Sequence, residues 1–202
     1  MNNIVYSIGY TAFDIDDFID VLKEYKIDVV IDVRSYPYSK RYPEYNRDKL
    51  SAQLKDNNIY YRNYDKEFGA RQKNKAFYNK NGILDFDKFS KSDQFLEGIE
   101  KISYSMSKGY TFVLLCAEKR PITCHRTILV SKAFFDRGYR VEHILENRRT
   151  ISQEEINNML LDKFFPDRNQ INLFHNSKDD VQLINEAYKK QNAEIGYKME
   201  DE

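Results

Sequence analysis

Short apolar runs alternate along the chain with segments whose apolar residues recur at helical spacing. The runs lie at residues 4–8, 27–33, 59–64, 111–116 and 141–145, and the run at 27–33 is dense in β-branched residues. Such runs predict strands, and their β-branched density is typical of strands buried on both faces of a parallel sheet. The helical spacing predicts a helix around Phe18 and Leu22. Further helices are predicted at residues 47–57, 92–108, 126–137, 152–165 and 179–191.

Strands that alternate with helices predict an α/β fold, with a single mostly parallel sheet of about five strands flanked by helices. Residues 1–147 are predicted to form this α/β core, and residues 148–202 a helical, polar C-terminal extension. The extension has weaker apolar periodicity. It is therefore either a packed appendage or an arm that binds a protein partner or a second copy of the chain.

The composition is that of a soluble globular protein, with 41% hydrophobic and 32% charged residues. No apolar run approaches the ~20 residues that a membrane helix needs, and the N-terminus lacks the pattern of a signal peptide. Two cysteines are too few for a disulfide scaffold. These features predict a cytoplasmic protein that does not contact membranes.

The formal net charge of zero hides an uneven distribution. Residues 34–80 carry twelve Lys and Arg against five Asp and Glu, a balance of +7, and this segment interleaves its charges with tyrosines. Residues 1–33 and 141–202 each have a balance of −5. Aromatic side chains beside positive charge suit bases and phosphates, so the middle segment favours a nucleotide or nucleic acid as ligand.

The polar residues that follow the predicted strands are placed to meet a ligand, because ligands of open parallel sheets bind outside the carboxyl ends of the strands. Three strand ends and the start of the next helix supply Gly9, Tyr10, Asp32, Arg34, Ser35, Cys116, Glu118, Cys124, His125 and Arg126. Their convergence predicts a site at this edge of the sheet.

Arg34 directly follows a buried strand and therefore requires an anionic partner. One interpretation is a structural ion pair with Asp32, Glu118 or Glu67. The other is an anion clamp for a ligand, which Arg126 would support because backbone N–H groups at a helix start favour an anion.

Two further assignments complete the predicted site. A turn at residues 69–71 would bring Arg71 to the same edge, where it would help to hold the anion. The predicted catalytic residues, acid–base groups and a thiol, are Asp32, Glu118, His125 and Cys124.

The two cysteines admit three interpretations. Cys116 and Cys124 with His125 offer three metal ligands, although the Cys-x7-Cys spacing lacks the tight pairs usual in zinc sites. Cys124 at a helix start beside His125 has the surroundings of a reactive thiol. Alternatively both cysteines are small buried residues that line the site without reacting. The sequence alone leads us to expect no cofactor and no metal.

Several blocks of the sequence resemble the domain of unknown function family 488. They are S-I-G-Y-T at 7–11, D-V-R-S-Y-P-Y-S at 32–39, F-G-A-R at 68–71, L-L-C-A-E-K-R-P-I-T-C-H-R at 114–126 and R-G-Y-R-V-E-H-I at 137–144. The resemblance implies an α/β fold and supplies no reaction. Family members often have Leu-Gly-Gly-x-Arg where this chain has Phe68-Gly69-Ala70-Arg71.

These observations predict an anion-accepting site at the carboxyl edge of the sheet that binds or acts on a nucleotide, a nucleic acid or another phosphate-bearing ligand. Two alternatives stay open. One is a non-catalytic nucleic-acid-binding or protein-interaction module, and the other is a thiol- or metal-dependent enzyme that uses Cys116, Cys124 and His125.

Overall fold

The computed structural model describes residues 3–168 and 179–199, whose strands form one six-stranded sheet. The strands are β1 (Ile4–Gly9), β2 (Val29–Asp32), β3 (Tyr60–Asn63), β4 (Phe112–Cys116), β5 (Arg140–Ile144) and β6 (Thr150–Ser152). Their spatial order is β3-β2-β4-β1-β5-β6; the first five are parallel, and β6 runs antiparallel to β5. The predicted α/β class with a mostly parallel sheet is confirmed, and β6 is an edge strand that the sequence pattern did not predict.

Eight α-helical segments and one π-helical segment flank the sheet within the described ranges. The α-helices are α1 (Ile15–Glu24), α2 (Arg47–Asp56), α3 (Asp65–Phe68), α4 (Phe86–Phe89), α5 (Asp93–Ser107), α6 (Lys132–Phe135), α7 (Gln153–Phe164) and α8 (Asp180–Ile195). The predicted helix at residues 126–137 is instead π-helical over Arg126–Ser131 and becomes α-helical only at Lys132.

Side-chain caps set the starts of the longer helices. Asp14 and Ser92 accept a hydrogen bond from the backbone three residues on, and Ser152 forms a capping box with Glu155. Asn46 precedes α2 but does not cap it with its side chain. Its side-chain oxygen instead accepts the Ser39 N–H at 2.6 Å, which ties down the loop after β2.

The two faces of the sheet bury separate hydrophobic clusters. Face A, with Val5, Ile31 and Leu114, is covered by α3 to α8 and the π-helical segment. Face B, with Ile8 and Val113, is covered by α1 and α2. Chain connections after β1 and β2 therefore pass over face B, and those after β3 and β4 pass over face A. The carboxyl ends of β2, β4 and β1 lie where these connections diverge, which is the ligand position in open α/β sheets.

The described part of the C-terminal extension is built into the same core. Ile156 and Leu160 of α7 and Ala187 of α8 are buried in the face A cluster. After α8 the chain returns to residues 82–84, where the Leu84 N–H donates to the Tyr197 carbonyl at 2.9 Å. The sequence also predicts an Asn-rich linker between the helices at 152–165 and 179–191, and an acidic end at 197–202. Residues 169–178 of the linker and 200–202 of the acidic end lie outside the described residues.

None of the helices within residues 3–168 and 179–199 combines the length and the apolar composition needed to cross a bilayer.

Candidate functional site

The carboxyl edge of the sheet brings together Cys116, Glu118, Cys124 and His125, which we call the thiol cluster. Oε2 of Glu118 lies 3.0 Å from Sγ of Cys116 and 2.8 Å from Sγ of Cys124, so both thiols contact one carboxylate oxygen. Nδ1 of His125 lies 3.8 Å from Sγ of Cys116. The cluster is assembled from the end of β4, the turn after it and the residues that lead into the π-helical segment.

The backbone of the residue that follows β2 orients the His125 ring. Nε2 of His125 is 3.0 Å from the carbonyl oxygen of Val33, and a carbonyl only accepts hydrogen bonds, so Nε2 carries a proton. Nδ1 is therefore the nitrogen that faces the thiols. This arrangement, a histidine whose other N–H is fixed by a backbone carbonyl, is the one that metal-ligating histidines usually show.

Burial and mutual contacts shift the ionisation of the cluster. The hydrogen bond with Cys124 and burial raise the pKa of the Cys116 thiol. Burial opposes ionisation of Cys124, but its hydrogen bond with Cys116 and the charge of Arg126 outweigh burial and lower the pKa of this thiol. Burial also lowers the pKa of His125, but contact with Cys124 more than offsets this and raises it. These shifts favour ionisation of Cys124 over Cys116 and favour the protonated form of His125.

The two sulfur atoms are poorly accessible. Cys116 is 3% exposed and Cys124 is 1% exposed, whereas Glu118 is an exposed residue. Burial also raises the pKa of the Glu118 carboxyl, and the neighbouring Cys124 adds to this effect. Glu118 thus lies between solvent and the thiols, and a large substrate cannot reach either sulfur without moving it.

Gly9 at the end of β1 makes room for the turn that carries Glu118. A Cβ at this position would lie 2.0 Å from the Glu118 carbonyl oxygen and 3.1 Å from Nη1 of Arg126. Thr11 fixes the same turn, because its N–H and its hydroxyl donate to the Ala117 carbonyl at 3.2 and 2.7 Å. The glycine is therefore required by close backbone approach.

Gly9→Ala is expected to lower the free energy of unfolding by about 1–3 kcal/mol, as overpacked sites do. Because the turn must shift, Cys116 and Cys124 should also react faster with maleimide in the native protein. Gly109→Ala is the control for thiol reactivity. Its φ of +93° means that alanine there also lowers stability, but a Cβ would meet nothing within 4 Å, so the thiols should react as in the wild type. Unchanged stability and thiol reactivity in Gly9→Ala would contradict the packing argument.

Arg126 is fully buried on face A and hydrogen-bonds to the turn that carries Glu118. Its Nη1 donates to the Glu118 carbonyl at 2.5 Å and its Nε lies 3.4 Å from Oγ of Ser7. Nη2 has no hydrogen-bond partner among the described residues. A full positive charge is thus held directly beside the thiol cluster.

A chain of buried hydrogen bonds leads from Arg126 away from the cluster. Oγ of Ser7 lies 2.7 Å from Nδ1 of His143, and Nε2 of His143 lies 2.9 Å from Oε1 of Gln153. The Gln153 amide then donates to the Tyr188 hydroxyl at 2.8 Å. Since the amide oxygen only accepts, His143 is protonated on Nε2 and accepts from Ser7 through Nδ1.

His143 is expected to make the protein less stable in acid. Burial, aided by the positive charge of Arg126, lowers its pKa to about 3. The unfolded chain therefore binds a proton below its ordinary pKa of about 6.5, whereas the folded protein does not, so stability falls as pH falls. Between about pH 7.5 and pH 5 the loss from this residue is about 2 kcal/mol.

Urea unfolding of the wild type and of His143→Gln at the two pH values checks this expectation. Glutamine does not titrate, so the variant should lose about 2 kcal/mol less than the wild type over the interval. An equal loss in both proteins would show that His143 is not the group responsible.

Arg34 is engaged by protein groups on face B. Its guanidinium makes a bidentate pair with Asp32, with distances of 2.8 Å from Nε to Oδ1 and 2.5 Å from Nη2 to Oδ2, and donates to the Tyr45 carbonyl at 3.0 Å. The hydroxyl of Tyr61 donates to Oδ2 of Asp32 at 2.6 Å. Tyr10 lies beneath, with its ring centroid 5.0 Å from Cζ of Arg34. The structure therefore agrees with the first interpretation of Arg34, a structural ion pair with Asp32, rather than with a clamp for an anionic ligand.

The structure does not join the three predicted anion-binding arginines into one clamp. Arg34 packs with the face B cluster, whereas Arg126 bonds to Ser7 on face A, so the two guanidinium groups lie on opposite faces of the sheet. Arg71 is exposed, with its Cζ 4.9 Å from the ring centroid of Tyr197. Its backbone N–H donates to Oγ of Ser35 at 2.8 Å, which places Ser35 as a support of the residue 69–72 turn.

Sequence reasoning missed the groups that orient the site. The carbonyl of Val33, which fixes His125, has no sequence signal. Ser7, His143 and Gln153 had a weak signal, because polar residues within or beside buried strands require hydrogen-bond partners.

A cavity bordered by the described residues lies elsewhere on the molecule. It measures about 890 Å³ and is lined by residues of α4, α6 and α8 and the π-helical segment, among them Phe86, Ile128, Lys132 and Tyr188. None of the thiol cluster residues lines it. The thiol cluster and this cavity therefore do not coincide.

Fold and site together define an α/β protein with a mostly parallel sheet, whose carboxyl edge carries two buried cysteines beside a histidine and an exposed glutamate. The chain belongs to the family described as Domain of unknown function DUF488, whose model matches residues 14–133. The predicted family resemblance is thereby confirmed. A search of curated proteins returned no match, and neither did a search of solved structures. The family description assigns no reaction.

Proposed function

We propose that the protein is a metal-dependent enzyme whose thiol cluster binds a zinc-type divalent ion. One observation carries this proposal. Sγ of Cys116, Sγ of Cys124 and Nδ1 of His125 all lie within 4.8 Å of one another. Two soft thiolates and one imidazole are a ligand set that catalytic zinc sites use, with a fourth position left for water or substrate.

The distances fit an ion with little rearrangement. Zinc–sulfur bonds of about 2.3 Å and zinc–nitrogen bonds of about 2.0 Å place tetrahedral ligand atoms roughly 3.5–3.8 Å apart. Sγ of Cys116 and Nδ1 of His125 are already 3.8 Å apart. The hydrogen bond from His125 to Val33 holds the ring in the required orientation.

The charges also fit. A divalent ion with two thiolates and the Glu118 carboxylate would leave one excess negative charge, and the buried guanidinium of Arg126 is placed to balance it. A buried charge that is balanced in this way avoids most of the desolvation penalty. Arg126 would then stabilise the loaded site without being a ligand.

Glu118 would occupy or border the fourth position. Its Oε2 contacts both sulfur atoms while the residue remains exposed, so it is the member of the cluster able to yield to water or substrate. A carboxylate there would act as a general base toward bound water. The reaction class supported best is metal-assisted hydrolysis, and a phosphate-bearing ligand remains the proposed substrate. Asp32, tied to Arg34 and Tyr61, would have a structural role.

A second candidate function is favoured by the lowered pKa of Cys124. A thiolate beside a protonated His125 is the arrangement of a nucleophilic cysteine. The burial of both sulfur atoms argues against attack on a large substrate, and for this reason we place the metal proposal first.

Titration of metal-free protein with Co²⁺ tests the proposal. We expect one equivalent to bind, with a thiolate-to-cobalt charge-transfer band and visible absorption typical of tetrahedral coordination, and Zn²⁺ should displace the cobalt. His143→Gln is the matched control, because His143 is buried but contacts none of the cluster side chains by a hydrogen bond, so the variant should retain both signals. A protein that gives no charge-transfer band, and whose Cys124 alkylates quickly at neutral pH, would favour the nucleophile instead.

A further inference from the structure

Two neighbouring tyrosines stand exposed on the loop that follows β2. Tyr36 is 68% exposed and Tyr38 is 40% exposed, in contrast to Tyr45 of the same basic segment, which is fully buried. Their ring centroids are 5.5 Å apart with an interplanar angle of 53°, so the rings are not stacked on each other. Exposed aromatic faces of this kind are stacking surfaces for nucleic-acid bases.

This tyrosine pair lies at the same edge of the sheet as the thiol cluster. Val33, whose carbonyl binds His125, is three residues before Tyr36. Tyr60 is also exposed, at 54%, but it is the first residue of parallel strand β3 and therefore lies at the opposite, amino edge. The basic, tyrosine-rich segment at residues 34–80 thus contributes to both edges of the sheet. The tyrosine pair lies at the carboxyl edge, where the thiol cluster is.

The loop that carries the tyrosine pair is held in place before any ligand binds. The Ser39 N–H donates to Asn46, and the Arg47 N–H donates to the Pro37 carbonyl at 3.0 Å. The Tyr42 N–H donates to Oγ of Ser39 at 3.1 Å. A fixed loop loses little conformational entropy on binding, which favours a binding surface.

Positive charges border the tyrosine pair. Lys40 and Arg41 follow it in the loop. The Arg71 backbone N–H donates to Ser35, the residue before Tyr36, while the Arg71 guanidinium lies over the Tyr197 ring. All three cations are exposed, and none forms a salt bridge with a carboxylate within residues 3–168 and 179–199. Exposed cations without a carboxylate partner, on the same loop as exposed aromatic faces, match the alternation of phosphates and bases along a nucleic-acid strand.

We propose that the tyrosine pair and its bordering cations bind single-stranded nucleic acid and present it to the thiol cluster. A duplex hides the faces of its bases within the stack, whereas a single strand can place successive bases on Tyr36 and Tyr38. Single-stranded nucleic acid would then be the substrate class of the proposed enzyme. Only the reaction at the thiol cluster rests on the proposed function. Strand binding itself requires no metal ion.

Fluorescence anisotropy with labelled single strands of DNA and RNA, in EDTA, tests the inference. Tyr36→Ala and Tyr38→Ala should each weaken binding about tenfold, within the range measured for loss of one stacked base. Affinity for single strands should exceed that for duplexes of the same sequence. Binding should also weaken steeply with salt, and the salt slope should decrease in Lys40→Ala and Arg41→Ala.

Two matched controls distinguish this surface from any exposed tyrosine. Tyr60→Ala removes an exposed tyrosine of the same segment at the opposite edge, and Tyr104→Ala removes one that is 66% exposed on α5. Both variants should bind single strands like the wild type. Equal losses in the controls, a preference for duplex, or no binding at all would overturn the inference. If strand binding fails but Co²⁺ binds as expected, the proposed metal site stands. If strands bind but Co²⁺ does not, only the proposed metal site is rejected.

Discussion

Replacing Cys124 with serine is expected to lower the affinity for Co²⁺ and Zn²⁺ by more than about 100-fold, because loss of a ligand costs more than loss of a group that only orients one. The same applies to Cys116→Ser and His125→Ala. Each cysteine variant should also lose intensity in the charge-transfer band, since one of two sulfur ligands is gone. Competition titration with a chromophoric chelator measures the change.

The control for these variants separates ligands from neighbours. Arg126→Met removes a positive charge beside the cluster and two hydrogen bonds, to the Glu118 carbonyl and to Ser7, but no ligand. We expect it to weaken metal binding by about 10–100-fold with the charge-transfer band preserved in the loaded protein. Metal affinity that is unchanged in Cys124→Ser would show that the ion binds elsewhere on the chain.

Replacing Asp32 with alanine is expected to lower the free energy of unfolding by about 3–5 kcal/mol, the range for breaking a buried ion pair from one side. Asp32 is fully buried and Arg34 is 5% exposed, so the substitution leaves a guanidinium buried without its carboxylate. The hydroxyl of Tyr61 also loses its acceptor. Urea unfolding of the variant at neutral pH measures the loss.

A double substitution shows whether the unpaired charge causes that loss. Arg34→Met in the Asp32→Ala background removes the stranded guanidinium and should recover part of the stability. If Asp32→Ala proved nearly neutral, Arg34 would be free to find another anion, and the original interpretation of Arg34 as an anion clamp would regain its basis.

The regular part of the fold follows from sequence pattern because burial imposes it. Strands β1, β2 and β4 lie between two helical layers, and their apolar runs identify them directly. Strand β6 was not predicted because Thr150–Ser152 is too short to show the alternation of apolar and polar residues that marks a strand. It also ends in the capping box that begins α7. The π-helical turns at Arg126–Ser131 escaped because their residues have the same apolar spacing as an α-helix.

The position of the candidate site could be predicted from the sequence, but the partners of its side chains could not. Strand order brings the ends of β1, β2 and β4 together, and that much follows from a parallel sheet. Side-chain partners do not follow. Arg34 and Arg126 come from elements that pack on opposite faces, and His125 is oriented by the Val33 backbone, which every residue type offers. These details favour a metal site at the thiol cluster over an anion site formed by Arg34 and Arg126.

X-ray absorption at the zinc edge, on the protein loaded with one equivalent of Zn²⁺, tests the central claim most directly. Cys116, Cys124 and His125 predict a first coordination shell with two sulfur scatterers at about 2.3 Å and nitrogen or oxygen scatterers at about 2.0–2.1 Å. The imidazole should add its outer-shell scattering, and this should disappear in His125→Ala. A shell of nitrogen and oxygen alone, unchanged in Cys116→Ser and Cys124→Ser, would contradict the account.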